Sequence, residues 1–219
     1  MKPRKIRAVV LLSGGVDSTT CLALAASKGR EVYAISFDYG QRHRAELAAA
    51  RRVARQIGCR QHRVVRVEVP GAGASALTNR AIGVPKRKSR AAIPVTYVPA
   101  RNALFLAHAL SWAESIGAFE IWIGANVIDY SGYPDCRPAF LRAFERMAKL
   151  GTKAGTEGSR FRIVAPLLRM RKIEIIRLGL RLGVDYASTL SCYDPSPRGR
   201  PCLRCDSCRI REKAFKNIE

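Results

Sequence analysis

Apolar residues recur along this chain with two different periods, and the resulting segments predict strands and helices in alternation. Residues 9–12 form a short, β-branched apolar run typical of a buried strand, and Leu22, Leu24 and Ala25 then follow at helical spacing. The same reasoning predicts strands at 8–13, 31–38, 63–69, 120–124 and 161–165. It predicts helices at 19–28, 42–57, 102–116, 138–150 and 172–182.

This alternation predicts an α/β fold, a doubly wound parallel sheet with helices on both faces. Ligands of such sheets bind beyond the carboxyl ends of the strands, so the loops at 13–18, 37–43 and 124–137 and the segment after Ala165 are expected to hold the site. The stretch 70–100 is longer than a simple connection, and loops of that length often act as lids.

The first of these loops, Ser-Gly-Gly-Val-Asp-Ser at 13–18, leads directly from strand to helix. Its glycines allow close backbone approach to a ligand, and the first N–H groups of the helix point at that ligand, which predicts a phosphate site. The loop lacks the Gly-Lys-Ser/Thr of a Walker loop and the GxGxxG of a dinucleotide loop. The simpler interpretation is a tight turn in which Asp17 or Ser18 caps the helix.

Four of the seven cysteines crowd the C-terminal region with the spacing C-x9-C-x2-C-x2-C. Four thiolates match tetrahedral Zn²⁺, and four protein ligands leave no open position, which predicts a structural site. An iron–sulfur cluster is the main alternative, although Arg209 stands in place of the distant Cys-Pro of ferredoxin motifs. The candidate ligands are Cys192, Cys202, Cys205 and Cys208.

The three remaining cysteines are isolated. Cys21 and Cys59 are interpreted as inert residues, whereas Cys136 lies in a loop after a strand and is kept open as a nucleophile.

Composition fits one domain with a substantial core, since 47% of the 219 residues are apolar. No apolar run reaches the ~20 residues of a membrane-spanning helix, and we expect a cytoplasmic protein that does not enter a membrane. The formal charge of +22 predicts attraction for anions. Only residues 86–90 form a dense basic cluster, so we expect a solvated basic surface, with functional nucleic-acid binding as the lesser interpretation.

Further segments resemble one family over nearly the whole chain. They are FDYGQRHRAEL at 37–47, SALT at 75–78, TYVPARNALFL at 96–106, IGANVIDYSGYPDCRPAF at 123–140, APLLRMRKIEII at 165–176, SCY at 191–193 and PCLRCDSCRIREKAF at 201–215. With SGGVDS, they resemble the 7-cyano-7-deazaguanine synthases, a family of PP-loop ATP pyrophosphatases with an adenine nucleotide alpha hydrolase-like fold. Leu203 departs from the family, which commonly has Gly there, and puts only the local turn in question.

The resemblance implies an ATP-dependent ligase that converts 7-carboxy-7-deazaguanine and ammonia to the nitrile, through an adenylated acid and an amide. The product is a precursor of queuosine and archaeosine. The resemblance also implies one zinc per chain, Mg²⁺ with ATP, a homodimer and no need for nucleic acid. It implies a single ATP pyrophosphatase-type domain over 1–219, with the four-cysteine segment integrated at 190–211.

Site residues carried over from the resemblance fall into three groups. Asp17, Arg101 and Lys172 are the candidate catalytic residues. The candidate base pocket is formed by Tyr97, Asp129, Tyr133 and Asp135. ATP is expected to bind at Leu12, Ser13, Gly14, Gly15, Val16, Asp17, Ser18, Thr19, Thr20, Cys21 and Leu22.

Several of these assignments have a structural alternative. Lys172 could be a solvated lysine at a helix start, and Arg101 could pair with a structural carboxylate. The base-pocket residues could belong to an ordinary loop turn around Gly132 and Pro134. His43 is kept open as a functional residue, with a place at a helix entrance as the alternative. Two other functions also stay open: a tRNA-modifying ATP pyrophosphatase, and a non-catalytic zinc-bearing nucleic-acid module.

Overall fold

The computed structural model describes residues 5–86, 93–128 and 132–218, which contain five strands and seven α-helices. The strands are β1 (Arg7–Leu11), β2 (Glu31–Asp38), β3 (Gln61–Arg66), β4 (Glu120–Trp122) and β5 (Arg162–Val164). The helices are α1 (Val16–Ser27), α2 (Ala45–Ile57), α3 (Arg101–Ser115), α4 (Pro138–Leu150), α5 (Lys153–Thr156), α6 (Lys172–Arg181) and α7 (Asp206–Lys216). Short 3-10 turns lie at Pro70–Ala74, Pro134–Cys136 and Tyr186–Ser188.

The five strands form one parallel sheet in the order β3-β2-β1-β4-β5. The central strand β1 is apolar throughout its buried part because both of its faces are covered. The chain adds β2 and β3 on one side of β1 and then places β4 and β5 on the other side. The predicted doubly wound α/β fold is confirmed, and its topological switch point lies between β1 and β4.

Alternate residues of β1 serve two hydrophobic layers. Val9 and Leu11 face the layer that contains α3 and α4, whereas Ala8 and Val10 face the layer that contains α1, α2, α6 and α7. This alternation of side chains fixes the carboxyl end of β1 between the two layers, where the strand runs into the loop at 13–18.

The start of α1 differs from the prediction. Gly15 is the N-cap, and both Asp17 and Ser18 lie inside the first helical turn. The simpler interpretation, in which Asp17 or Ser18 caps this helix, is therefore wrong, and their side chains are available for other contacts.

The long stretch at 70–100 packs onto the body of the protein wherever it is described. Ala76 and Val84 lie in one hydrophobic cluster with Cys192, Cys205 and Cys208. The predicted basic cluster falls mostly outside the described residues; its first member, Lys86, pairs with Asp194 at 2.6 Å. The described helices include none that is long and apolar enough to cross a bilayer.

Candidate active site

Two glycines hold the loop at 13–18 against its neighbours. Gly14 has a φ of +81°, and a Cβ atom there would lie 2.6 Å from the Ala50 nitrogen and the Glu46 carbonyl oxygen of α2. A Cβ atom on Gly124, just after β4, would lie 2.9 Å from the Ser18 nitrogen. Only glycine permits both approaches, so the loop is fixed between α2 and the end of β4, at the switch point of the sheet.

Backbone N–H groups of this loop donate hydrogen bonds to serine hydroxyl oxygens. The Ser13 nitrogen donates to Ser18 Oγ at 3.2 Å, the Gly15 nitrogen donates to Ser13 Oγ at 3.3 Å, and the Val16 nitrogen donates to Ser191 Oγ at 3.1 Å. The first N–H groups of α1 have no acceptor within the helix. Backbone N–H donors at the positive end of a helix dipole form a site suited to phosphate oxygens.

A buried ion pair lies beside the loop. Lys172 Nζ, at the start of α6, donates to the two carboxylate oxygens of Asp17 at 2.5 and 2.7 Å. The side chains are only 8% and 16% exposed, respectively, so Lys172 is not a solvated helix-start lysine. Both residues line a cavity next to the loop, and this cavity has a volume of about 250 Å³.

Arg101, the first residue of α3, brings a second positive charge to this cavity. Its guanidinium donates to the Tyr39 hydroxyl at 3.5 Å and lies 6.0 Å from the centre of the Phe105 ring. Burial opposes its charge, but the neighbouring Tyr39, Tyr133 and Asp135 side chains raise the pKa of Arg101. Arg101 forms no ion pair with any carboxylate in the described part of the chain, so its charge is available to a ligand.

The two tyrosines of the predicted base pocket lie side by side. Tyr133 lines the cavity, and its hydroxyl lies 2.8 Å from the Thr96 hydroxyl. The ring of Tyr97 is tilted by 34° to that of Tyr133, with 6.0 Å between the ring centres. The Tyr97 hydroxyl accepts a hydrogen bond from the Ala100 nitrogen at 3.0 Å, and Tyr97 does not line the cavity.

The two predicted carboxylates of that pocket are Asp135 and Asp129. Asp135 is 6% exposed and accepts a hydrogen bond from the Asn102 nitrogen at 2.9 Å, so it stabilises the start of α3. Asp135 also does not line the cavity. Asp129 lies outside the described residues.

Members of the predicted ATP segment divide into two groups. The cavity is lined by Leu12, Ser13, Gly15, Val16, Asp17 and Ser18. Gly14 packs against α2 and does not line the cavity. The other members are buried in α1 away from the cavity: Thr19, Thr20, Cys21 and Leu22. The Thr20 hydroxyl, for example, lies 2.6 Å from the Tyr186 hydroxyl in the core.

The four C-terminal cysteines come together in space. Their sulfur atoms all lie within 4.8 Å of one another, and four sulfurs at the ~2.3 Å bond length of tetrahedral Zn²⁺ would stand about 3.8 Å apart. Backbone N–H groups support the sulfurs: those of Asp194 and Cys202 donate to Cys192 Sγ at 3.4 and 3.2 Å. Hydrogen bonds from Cys192 and Cys208 lower the pKa of the Cys205 thiol. The cluster therefore could hold a metal ion.

This cysteine segment is attached directly to the loop at 13–18. The Leu190 nitrogen donates to the Gly14 carbonyl oxygen at 2.9 Å, and Ser191 Oγ accepts from the Val16 nitrogen. Ser207 Oγ, in α7, donates to the Ser191 carbonyl oxygen at 3.1 Å. These hydrogen bonds link the cysteine segment to the loop at 13–18.

The isolated cysteines are poor nucleophiles. Burial raises the pKa of Cys136 to about 11 and the pKa of Cys59 to about 12, and it raises the pKa of Cys21 further. Cys136 lines the cavity and accepts a hydrogen bond from Asn102 Nδ2 at 3.3 Å. At neutral pH its thiol stays protonated, so the nucleophile hypothesis for Cys136 is not supported.

Several cavity residues were missed by the sequence reasoning. Ser191 precedes the first metal-ligand candidate, and its role depends on a contact with Val16 that no local pattern shows. Tyr39 lies in the loop after β2, and Glu46 lies in the helix α2 that follows it. Ligands bind beyond the carboxyl ends of the strands, but that rule identifies only the region and not these two residues. His43, left open before, lines the cavity, and its Nε2 lies 3.0 Å from the Cys192 carbonyl oxygen.

Comparisons with known proteins agree with this geometry. The chain is 62% identical over 209 residues to the 7-cyano-7-deazaguanine synthase of Azotobacter vinelandii, covering 95% of this chain and 93% of that protein. It is 62% identical over 213 residues to the enzyme of the same name from Anaeromyxobacter dehalogenans, covering 95% of this chain and 91% of that protein.

A solved structure shares the fold. A 4-thiouridine synthetase, solved in complex with RNA and with bound ATP, matches 97% of this chain and 50% of its own, with a TM-score of 0.50 and 20% identity. That likeness, at 20% identity, concerns the fold alone. The family model for "Queuosine biosynthesis protein QueC" matches residues 7–219. With the loop, the buried ion pair and the cysteine cluster all inside the matched region, this chain belongs to the QueC family.

Proposed function

We propose that this protein is an ATP-dependent carbon–nitrogen ligase that makes 7-cyano-7-deazaguanine from 7-carboxy-7-deazaguanine and ammonia. The observation that carries the proposal is the group of charges around the loop at 13–18, where the buried Lys172–Asp17 pair and Arg101 line one cavity. Membership of the QueC family and relatives named 7-cyano-7-deazaguanine synthase supply the substrate and product.

The reaction has to make a carboxylate oxygen into a leaving group. Transfer of that oxygen to the α-phosphate of ATP does so and releases pyrophosphate, which the N–H groups at 13–18 hold. Lys172 and Arg101 neutralise the charge that builds on the phosphates during transfer, as preorganised cations do in phosphoryl transfer. Asp17 is the carboxylate of the loop that would hold Mg²⁺ bound with ATP, and the ion would add to this neutralisation.

Two activations are needed to reach the nitrile. Ammonia displaces AMP from the acyl adenylate and gives the amide. A second ATP then activates the amide oxygen, whose departure leaves the C≡N bond. Each nitrile formed therefore consumes two ATP molecules and releases two AMP and two pyrophosphate.

The base of the substrate is proposed to lie against the tyrosines. Tyr133 is at the cavity and Tyr97 is next to it, so an aromatic ring is available for stacking on the deazapurine. We propose Asp129 and Asp135 as the carboxylates that accept hydrogen bonds from its amidine-like edge. Asp135 already accepts from the Asn102 nitrogen, so its second role would use its remaining acceptor capacity.

We propose zinc as the ion held by the four cysteines, because four thiolates within one segment suit a structural zinc site. We also propose a single domain over 1–219 with the cysteine segment at 190–211 built into it, supported by its contacts with Gly14 and Val16. A cytoplasmic homodimer is the assembly expected from the family resemblance.

The test is to incubate the protein with the acid, ammonium, Mg²⁺ and ATP in the absence of RNA, and to detect amide and nitrile by mass spectrometry. Arg101→Ala and Lys172→Ala are expected to slow turnover by ~10²-fold or more, the effect of losing one donor to the transition state. Glu157→Gln, on the exposed surface of the protein, is a control for substitution away from the cavity and should leave turnover unchanged.

The tRNA-modifying alternative makes a different prediction for the same reaction mixture. That function would release AMP only after tRNA is added, and it would form neither amide nor nitrile. A folded, metal-loaded protein with that behaviour would move the assignment to the alternative.

A further inference from the structure

Glu46 is an acidic residue of the cavity for which the proposed reaction has so far required no role. It is the second residue of α2 and lines the cavity together with Asp17, Lys172 and Arg101. Its backbone carbonyl oxygen is the atom against which Gly14 packs. The base of the Glu46 side chain is therefore held at a fixed position next to the phosphate-binding loop.

The Glu46 carboxylate has no assigned partner in the described part of the chain. No hydrogen bond or ion pair from a described residue reaches it, in contrast to Asp17, which Lys172 holds with two short hydrogen bonds. A partly buried carboxylate without partners is costly for stability, and such groups are found where they serve function.

Its surroundings prepare it for proton transfer. Burial raises the pKa of Glu46 to about 7, against the opposing influence of the Arg101 charge, and Tyr39 is its other titratable neighbour. A general acid or base works best when its pKa is near the working pH.

The remaining titratable groups of the cavity are less suitable as bases. Asp17 is bound to Lys172, and Arg101 stays charged. The Cys136 thiol has its pKa raised to about 11. His43 donates to the Cys192 carbonyl oxygen through Nε2, and its other ring nitrogen, Nδ1, is buried away from the open space of the cavity.

The proposed function creates a need for such a base. Near neutral pH the nitrogen substrate is mostly ammonium, which has no lone pair with which to attack an acyl carbon. Accordingly, and resting on that function, we propose that Glu46 is the general base that takes a proton from ammonium in the cavity and so delivers ammonia to the acyl adenylate.

The step balances without any further reactant. One proton moves from ammonium to the Glu46 carboxylate, and the nitrogen lone pair forms the C–N bond to the acyl carbon. The bond from that carbon to the bridging oxygen then breaks, and its electron pair leaves with AMP. The nitrogen loses a second proton to water as the adduct collapses, and Glu46 returns its own proton to solvent.

The test separates activation of the acid from transfer of nitrogen. Hydroxylamine is largely unprotonated at neutral pH, so it can capture the acyl adenylate as a hydroxamate without a base to generate it. In Glu46→Gln, we expect amide formation from ammonium to fall by ~10²-fold or more at pH 7, while hydroxamate formation stays within a few-fold of the unmodified protein. Raising the pH should restore amide formation, because free ammonia then becomes abundant.

Glu157→Gln makes the same chemical change at an exposed position and should alter neither rate. Equal loss of amide and hydroxamate in Glu46→Gln would overturn the proposal, because Glu46 would then serve activation of the acid, for instance by holding Mg²⁺. Amide formation at the normal rate and normal pH dependence would overturn it too. If the unmodified protein forms neither product, the proposed function fails first.

Discussion

Gly14→Ala tests the close approach of α2 to the phosphate-binding loop. Alanine at a φ of +81° costs ~1–2 kcal/mol of backbone strain. Its Cβ would also lie 2.6 Å from backbone atoms of Ala50 and Glu46, and overpacking of that kind adds ~1–3 kcal/mol. Alanine restricts the unfolded chain, which returns ~0.4–1 kcal/mol. We expect Gly14→Ala to lower the free energy of unfolding by ~3 kcal/mol.

Gly29→Ala is the matched control, because Gly29 has a φ of +74° with no atom within 4 Å of the added Cβ. It should cost only ~1 kcal/mol, from backbone strain alone, and should leave catalysis intact. The assay is urea denaturation of both variants, together with ATP-dependent pyrophosphate release under folding conditions. Gly14→Ala should also lose most pyrophosphate release, since α2 and the loop must move apart. Equal stability of the two variants, with pyrophosphate release retained in Gly14→Ala, would refute the reasoning.

Three further predictions concern the tail, the metal and acid stability. Leu203 is 63% exposed and has a φ of +58°, which glycine adopts without strain. Leu203→Gly should therefore raise the free energy of unfolding, measured by urea denaturation, by up to ~1 kcal/mol. A decrease of more than ~0.5 kcal/mol in that free energy would contradict this prediction. Cys205→Ser should bring the metal content below one ion per chain, as measured by metal analysis. It should also weaken ATP binding, because the cysteine segment hydrogen-bonds to Gly14 and Val16 of the loop. Unchanged ATP affinity in the metal-free protein would contradict this prediction. Burial opposes ionisation of Glu120, but hydrogen bonds from Arg30 and Trp122 lower its pKa. The contribution of Glu120 to stability is therefore present above about pH 4.3 and is lost as the pH falls below that value. Glu120→Gln should flatten this part of the curve of stability against pH, and an unchanged curve would exclude the Glu120–Arg30 pair as its cause.

The sheet could be predicted because its strands carry their own signal. The central run at 9–12 is apolar on both faces, and the predicted bounds of β2 agree with the structure at both ends. The predicted bounds of the edge strand β3 were wrong by two to three residues, because the strand was predicted at 63–69 and lies at Gln61–Arg66. Its residues are only partly buried, so its bounds are set by pairing of Tyr33 with Gln61 rather than by hydrophobicity.

Helix α7 had no predicted counterpart. The tail before it contains Pro195, Pro197 and Pro201, and these residues led to an expectation of little regular structure. The helix starts only after Cys205, its N-cap, and it buries few residues of its own. Its position depends on the cysteine cluster and on packing against α6, which is tertiary information.

The candidate site could be predicted in its parts but not in its connections. The loop, Arg101 and Lys172 were located by motif, yet the ion pair joins residues 155 positions apart in sequence. The N–H acceptor Ser191 is 175 positions from Val16, and no spacing rule reaches that far. Glu46 was missed because a glutamate in the first turn of a helix is ordinary in sequence, and only the cavity distinguishes it.

The most direct test of the central claim is the stoichiometry of the complete reaction. The unmodified protein is mixed with 7-carboxy-7-deazaguanine, ammonium, Mg²⁺ and limiting ATP, without RNA, and AMP, amide and nitrile are quantified over time. We predict two AMP for each nitrile, with the amide appearing first and accumulating as ATP runs out. Release of ADP in place of AMP, or a folded and metal-loaded protein that forms neither amide nor nitrile, would contradict the account.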